Sequence, residues 1–425
     1  MTTIDLAPPS PAPAPRGREL GPPESNLGPV AWVRANLFNS IFNSVLTVVF
    51  GIFLAWAAYR GLRLVFVNSE WEIVRRNLTS FMVGRFPRDQ LWRPWAASAV
   101  LALTFGAVAG AASVTAAEIA RSQGRSLPRI TWRGRLRRFW PLALLAVVTL
   151  SFTRTIAPTL LTAGVLGIGV VARSLGTRLP AVLRRGVILI ALVGMLAALA
   201  ILAGFGGVPW NDWGGLHLNV FVAAAGIVLA FPLGMVLALG RRSSLPVVRA
   251  ASVAYIELFR GVPLISLLLM GQFMIGFFLP AGMDPPSGLI RALIAIVIFE
   301  SAYIAEIVRG GLQGVDKGQI EAGQALGLSA FSVVRRIQMP QALRAVIPAM
   351  VGQFISLFQD TTLLSIVGFY EVLTVGQGVT SQPDFVGQGL QSVTLLFVAF
   401  IFWAIAYSMS RESRRLEIRL GVDTR

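Results

Sequence analysis

The chain has 425 residues, 55% of them apolar and only 13% charged, with a mean hydropathy of +0.70. That balance excludes a set of soluble domains and predicts an all-α polytopic membrane protein. Lysine and arginine number 37 against 20 acids, a net charge of +17; the basic residues fall between apolar runs, so they read as loops held on the cytoplasmic side and not as a nucleic-acid surface.

Residues 1–29 are rich in Pro, Ala and Ser and are expected to form a disordered cytoplasmic tail. The stretch lacks the charged start, apolar core and cleavage site of a secretory signal, so the first span, predicted over 41–67, is expected to be retained. Between Asn68 and Trp95 lies a polar segment whose Trp71, Trp92 and Trp95 suit a membrane interface. A second span is predicted over 96–117. Arg121, Arg125, Arg129, Arg133, Arg135, Arg137 and Arg138 then fall within 18 residues, a cluster that belongs in the cytoplasm. Two short apolar runs, 139–153 and 158–172, follow on either side of Arg154 and end at another basic stretch. Together they offer barely enough length for two crossings, which predicts a hairpin of short spans or one re-entrant segment with Arg154 at its tip. Another span, over 186–205, leads to GGVPWNDWGG, which carries no Lys or Arg. Residues 30–205 thus read as an amino-terminal transmembrane extension.

From residue 206 to residue 425 the charge pattern is more regular. Spans are predicted over 218–240, 250–279, 289–308, 345–368 and 392–409, with basic ends at Arg241-Arg242 and Arg411 to Arg419 and acidic loops at Asp284 and at Glu371 with Asp384. These five spans place the polar loop 309–344 and the carboxyl terminus on the basic side, the cytoplasm. With the extension, about 8 to 10 spans are expected in all.

Several chemistries are poorly provided for. There is no cysteine and one histidine, His217, which suits an interfacial position and cannot by itself build a metal centre or a catalytic triad. The one lysine, Lys317, follows Asp316 where a phosphate-binding loop needs glycine. No cofactor is therefore expected in this chain, and ATP, if it drives transport, must be hydrolysed by another polypeptide.

The loop 309–344 carries the most specific pattern. Helix formers from Ile320 to Leu326 bear one carboxylate, Glu321, and are interrupted by Gly327. A second short helix is predicted from the three-residue recurrence of Leu328, Phe331, Val334 and Ile337, stopped or kinked by Pro340. Glu321-Ala322-Gly323, three residues, Gly327, nine residues, Ile337, one residue and Pro340 closely resembles the EAA loop of ABC importer permeases, EAA-x3-G-x9-I-x-L-P. Gly323 stands for the family's second alanine and Met339 for its leucine; the glycine is expected to loosen the first helix by up to about 1 kcal/mol.

Three further stretches resemble the polar amino-acid branch of that family. Glu257-x-x-Arg260-Gly261-x-Pro263 places a carboxylate and a guanidinium on one helix face, where they can neutralise each other, and Pro263 invites a helix break. Ala302 to Gly311 carries Glu306 near a helix end, and Asp360-Thr361-Thr362-Leu363-Leu364-Ser365 is the third. The extension is similar to general L-amino-acid permease subunits. Charged groups inside apolar spans face a bundle interior or a water path, so Glu300, Asp360, Glu257, Arg260 and Glu306 are candidate path residues; the alternative is burial against an arginine for Glu300, Asp360 and Glu306, and a buried pair that holds the helix in place for Glu257 with Arg260. Glu300 lies six residues before Glu306, about 9 Å deeper and some 240° around the helix, so the two should face different surroundings.

The resemblance implies a five-span type I ABC importer permease core over 206–425. It implies as partners a homologous permease subunit, ABC ATPase subunits at the EAA loops, and a periplasmic amino-acid-binding protein, in a bacterial inner membrane with both termini cytoplasmic. An ion-coupled secondary amino-acid transporter is the alternative, with intramembrane carboxylates binding the coupling ion.

Overall fold

The computed structural model describes residues 28–67, 70–122, 124, 139–153, 155–204, 206–280 and 282–420. Residues 1–27 of the expected tail, the arginines from Arg125 to Arg138, Arg154 and the last five residues lie outside them, and Pro29, the tail's expected last residue, begins a helix. The chain divides into a unit ending at Ser69 and a second unit running from Glu70 to Arg425.

The first unit contains α1 (Pro29–Leu37) and α2 (Ile41–Phe66). Ser40 caps α2 by accepting the Asn43 N–H at 3.1 Å. None of the α2 side chains is buried and its apolar residues run all round, the composition of a helix whose partner is lipid.

In the second unit α3 (Glu72–Val83) is amphipathic, burying Ile73, Val74, Leu78 and Phe81 while Arg75 and Arg76 stay exposed. There follow α4 (Trp92–Ser122), α5 (Trp140–Ser151), α6 (Ala157–Thr177), a single turn α7 (Ala181–Arg185) and α8 (Val187–Ala203). Of the two short runs around Arg154, only α6 is long enough to cross a membrane; α5, with 12 residues, is not. The α4 helix packs along α6 and α8 through small residues, as helices do where lipid offers no competing hydrophobic drive. A Cβ on Gly106 would stand 2.5 Å from the Gly169 carbonyl oxygen, so the two backbones touch.

The remaining helices are α9 (Gly215–Arg241), α10 (Pro246–Gly261), α11 (Leu264–Met274), α12 (Gly288–Gln313), α13 (Lys317–Ala325), α14 (Ala330–Val333), α15 (Met339–Asp360), α16 (Val372–Gly378) and α17 (Gln391–Leu420). By length and composition seven helices among the described residues can cross a membrane, or eight with a bent pair counted, and α5 and α8 are shorter apolar helices. That bent pair corrects the single span expected over 250–279: α10 and α11 meet at 103°. Pro263 forces Val262 out of the helical region to φ −102°, ψ 132°. The centre of the unit is α12, buried by α9, α10, α11 and α15. Gly234 admits it closely: a Cβ there would lie 2.5 Å from the Ile304 side chain.

At the end of α9 that begins with Gly215, three backbones converge. Gly84 ends α3 at φ +61°, Gly215 opens α9 at φ +59°, and Gly214 and Gly215 bridge in parallel to Tyr370 and Glu371. A Cβ on Gly84 would stand 2.5 Å from the Gly214 Cα, and one on Gly215 2.6 Å from the Val83 nitrogen. The other end of α9, Arg241, lies among the residues leading into loop 309–344, so α3 and that loop occupy opposite faces. Gly215→Val is therefore expected to cost about 2–4 kcal/mol through overpacking and left-handed strain. Gly352→Ala, where a Cβ meets nothing within 4 Å, should be neutral or stabilising by up to about 1 kcal/mol. Thermal unfolding of the two variants in detergent checks this, and equal melting temperatures would contradict the three-backbone contact.

Candidate functional site

The loop between α12 and α15 is built as a rigid knob. Its roots are packed: Gly311 lies against Ala342 and Val346, and Arg242 donates to the Leu312 carbonyl at 3.2 Å. Asp316 caps α13 by accepting the Gly318 N–H at 2.6 Å. Gly327 ends the helix at φ +77°. Its N–H bonds the Gln324 carbonyl at 2.9 Å and the Leu328 N–H bonds the Gly323 carbonyl at 3.2 Å, the paired bonds of a Schellman cap. A Cβ on Gly327 would meet no atom within 4 Å, so what demands glycine is backbone conformation and not space. Gly323 is the reverse case: it is buried, and a Cβ would lie 2.6 Å from the Ile337 side chain, so the residue expected to loosen α13 lets the two short helices close on each other.

Beyond the elbow the expected stop at Pro340 is absent. Residues Val334–Gln338 widen into a π turn, and the chain continues as α15 with Pro340 in its first turn. A wide turn relieves the clash between the proline ring and the carbonyl four residues back, and the first turn is where a missing N–H costs least. The apolar face predicted for the second helix is also divided, because Val333 is buried while Phe331 is 70% exposed, beside Leu326 at 81%. Glu321 and Ala322 are exposed too, and Glu321 forms no ion pair among the described residues.

Immediately before the knob, charges from three helices meet. Glu306 on α12 accepts the Arg309 Nε at 2.9 Å and a second bond from the same guanidinium, and it faces Arg241 of α9 and Arg260 of α10, each at 3.6 Å. Glu257 pairs with Arg241 at 2.7 Å. The expected neutralisation of Glu257 by Arg260 within α10 is thus replaced by pairing between helices: α9 brings Arg241 to Glu257 and α12 brings Glu306 to Arg260. Arg241 escaped the sequence reading because nothing local marks an ion-pair partner on another helix; Arg309, three residues after Glu306 on the same helix, is a pair that spacing alone allows.

Glu300, deeper on α12, is fully buried and apart from this cluster. Among the described residues it has no arginine partner; it accepts the Gln353 amide of α15 at 3.1 and 3.3 Å. Two helical turns further along α15, at its opposite end, stands partly exposed Asp360. The next residue, Thr361, is buried and accepts a bond from Asn219 at 3.0 Å, and Asn219 also donates to Glu371 at 3.2 Å. Glu371 caps α16 through the Leu373 and Thr374 N–H groups at 2.8 and 2.6 Å; burial pushes its carboxyl up while these bonds pull it down. The five candidate path residues therefore fall at three levels: Glu257, Arg260 and Glu306 beside the loop, Glu300 in the interior, Asp360 at the far end.

Comparison with known proteins now bears on this arrangement. Residues 230–421 match the family of binding-protein-dependent transport system inner membrane components. Over 408 residues the chain is 34% identical to the inner membrane amino-acid ABC transporter permease protein YhdY of Escherichia coli (strain K12), covering 92% of this chain and 93% of that protein. The chain belongs to this family of ABC importer permeases. The permease is also 34% identical, over 95% of its length and 96% of its relative's, to the glutamate/glutamine/aspartate/asparagine transport system permease protein BztC of Rhodobacter capsulatus. A chain in a crystal structure of an amino acid ABC transporter with histidines matches 48% of the permease at 27% identity and a TM-score of 0.42, and 90% of that chain is covered. The permease is thus a multi-pass inner-membrane transport component, and ATP is hydrolysed by a separate subunit. Membership sets aside the ion-coupled alternative.

The Gln353–Glu300 contact can be measured by itself. Gln353→Leu leaves a buried carboxylate without its amide donor and should cost about 1–3 kcal/mol, whereas Gln353→Leu combined with Glu300→Leu removes both polar groups and should regain much of that loss. Additive losses in thermal unfolding of the three variants would show that the two side chains are not coupled.

Proposed function

We propose that the protein is the membrane-spanning subunit of an ATP-driven importer of amino acids, with residues 206–425 as its permease core and the loop 309–344 as the seat of the ATPase. The observation that carries this is the knob itself. A Schellman-capped elbow, anchored at both roots, presents Leu326 and Phe331 to solvent between α12 and α15, in a chain similar along nearly its whole length to an amino-acid permease. Two exposed apolar anchors on a rigid mount suit insertion into a partner's groove. In this reading Glu321, Ala322, Gly323, Gly327, Ile337 and Pro340 shape the coupling elbow. Its movement would pass to the bundle through Glu306, which faces Arg241 of α9 and Arg260 of α10 and so ties the end of α12 to both.

The assembly would contain ABC ATPase subunits, a homologous permease subunit and a periplasmic amino-acid-binding protein, with loop 309–344 and both termini in the cytoplasm. The similarity to amino-acid permeases and the arginine asymmetry of the loops support this arrangement. Glu300 would line the substrate path. A buried carboxylate whose one partner is a neutral amide is left with charge to satisfy, and a substrate ammonium or guanidinium arriving as the path opens would satisfy it. Asp360 would stand at the entrance, and Glu257, Arg260 and Glu306 would line the exit.

Coupling is tested with Gly327→Pro, which cannot adopt the left-handed elbow. In an assembled complex, binding-protein-stimulated ATP hydrolysis and uptake should fall by roughly tenfold or more, equivalent to about 1.4 kcal/mol of coupling. Full stimulation and transport would remove the elbow from the coupling path. For the path, uptake of arginine, glutamine and glutamate by Glu300→Gln should show a selective loss of arginine. An unchanged preference among the three at full rates would sink that assignment.

A further inference from the structure

On the face away from the coupling loop, α3 borders a half-open cavity whose chemistry changes along its length. Its mouth, about 520 Å3, is polar: Arg75, Arg76 and Thr79 of α3 face Thr153 and Thr155. Two apolar limbs leave from there. One, about 350 Å3, runs between α3, α4 and α9 past Trp95, Leu101 and Phe221. The other, about 690 Å3, runs between α5 and α6 past Leu142, Ala146, Leu150 and Leu166. Leu78, Thr153 and Pro158 line all three parts, so mouth and limbs adjoin one another.

The mouth is suited to a phosphate. Arg76 is held by two carboxylates, its Nε on Glu72 at 2.9 Å and one terminal nitrogen on Asp384 at 3.3 Å, and its guanidinium lies over the Phe385 ring. Arg75 meets Glu72 at 3.6 Å. Arg75 and Arg76 line the mouth, whereas Glu72 and Asp384 do not. A planar guanidinium fixed on one side and open on the other is a preferred partner for phosphate oxygens. His217 borders the first limb among Phe86, Trp213 and Phe221, with both ring nitrogens covered by protein, so it lends the limb an aromatic wall and no polar contact.

The geometry points to a binding site for one diacyl glycerophospholipid, its phosphodiester on Arg75 and Arg76 and one acyl chain in each limb. A basic polar mouth over two apolar limbs repeats the build of such a molecule, and its source is the surrounding bilayer. A peptide would need backbone hydrogen-bond partners that the apolar limbs do not offer. The lipid would brace α3 against α5 and α6, and through the Gly84 contact with Gly214 it would bear on the start of α9.

The test uses the full chain in its transporter complex, purified in mild detergent, stripped of lipid and examined by native mass spectrometry. The probes are a diacyl phosphatidylethanolamine, the matching lysophospholipid and inorganic phosphate. One diacyl adduct per chain is expected, with the lysophospholipid held roughly tenfold or more weakly because one limb stays empty, and phosphate not retained. Arg75→Gln with Arg76→Gln, and separately Ala146→Trp, which fills the second limb, should each weaken the adduct by a similar factor. No diacyl adduct, equal retention of the lysophospholipid, or an adduct indifferent to both variants overturns the site. Retention of phosphate alone reduces it to an anion site and overturns it too. The comparison of the three probes on the unaltered chain decides the matter even where a variant fails to fold.

Discussion

In hydrocarbon a backbone N–H or C=O has no water to bond, so every interruption of a helix must be satisfied by the protein itself. The functional geometry of this permease is a set of such interruptions, each with its own local solution. In the solvated loop the same need is met locally: at Gly327 by a Schellman cap in a left-handed residue, and at Pro340 by a π turn that lets the helix run on. At Pro263 the solution is an extended residue and a 103° bend, and at Gly84, Gly214 and Gly215 a crossing of three backbones without side chains between them. Between these points the helices are ordinary spans.

The charges are distributed in agreement with that plan. Three arginines share two carboxylates where α9, α10 and α12 end, so the cluster can exchange partners as the helices tilt without leaving any one charge alone. Glu300 has no such reserve. It is buried with one amide, and a carboxylate in that condition is weakly stabilised until something positive approaches. Stability is concentrated at the loop end and electrostatic need in the interior, an arrangement that suits a cavity opened from one side at a time.

Against the opposite face, α3 connects the amino-terminal extension to the core. Its buried side joins Ile73, Phe81 and Phe397 in one apolar cluster, its end touches the start of α9, and Arg85 lies 4.7 Å over the Tyr370 ring beside buried Glu371. The Asn219–Thr361–Glu371 network then links the start of α9 to the end of α15. The extension from Glu70 onward is therefore part of the same packed unit as the core.

The sequence by itself determined the membrane class, most of the long spans, the elbow at Gly327 and the break at Pro263. Each of these follows from local physics: the length of an apolar run, the φ that only glycine adopts cheaply, the N–H that proline lacks. It also indicated that Glu300 and Glu306 face different surroundings, because helical phase is a property of spacing alone. Tertiary structure alone decided which charges pair. Glu257 and Arg260 are neighbours on one helix, yet Arg241 and Glu306 reach them from others, and a side chain bonds whichever partner packing brings nearest. The same holds for Gly323, a weak helix former in isolation whose missing Cβ makes room for Ile337, and for Gln353, which nothing in its own stretch of chain connects to Glu300.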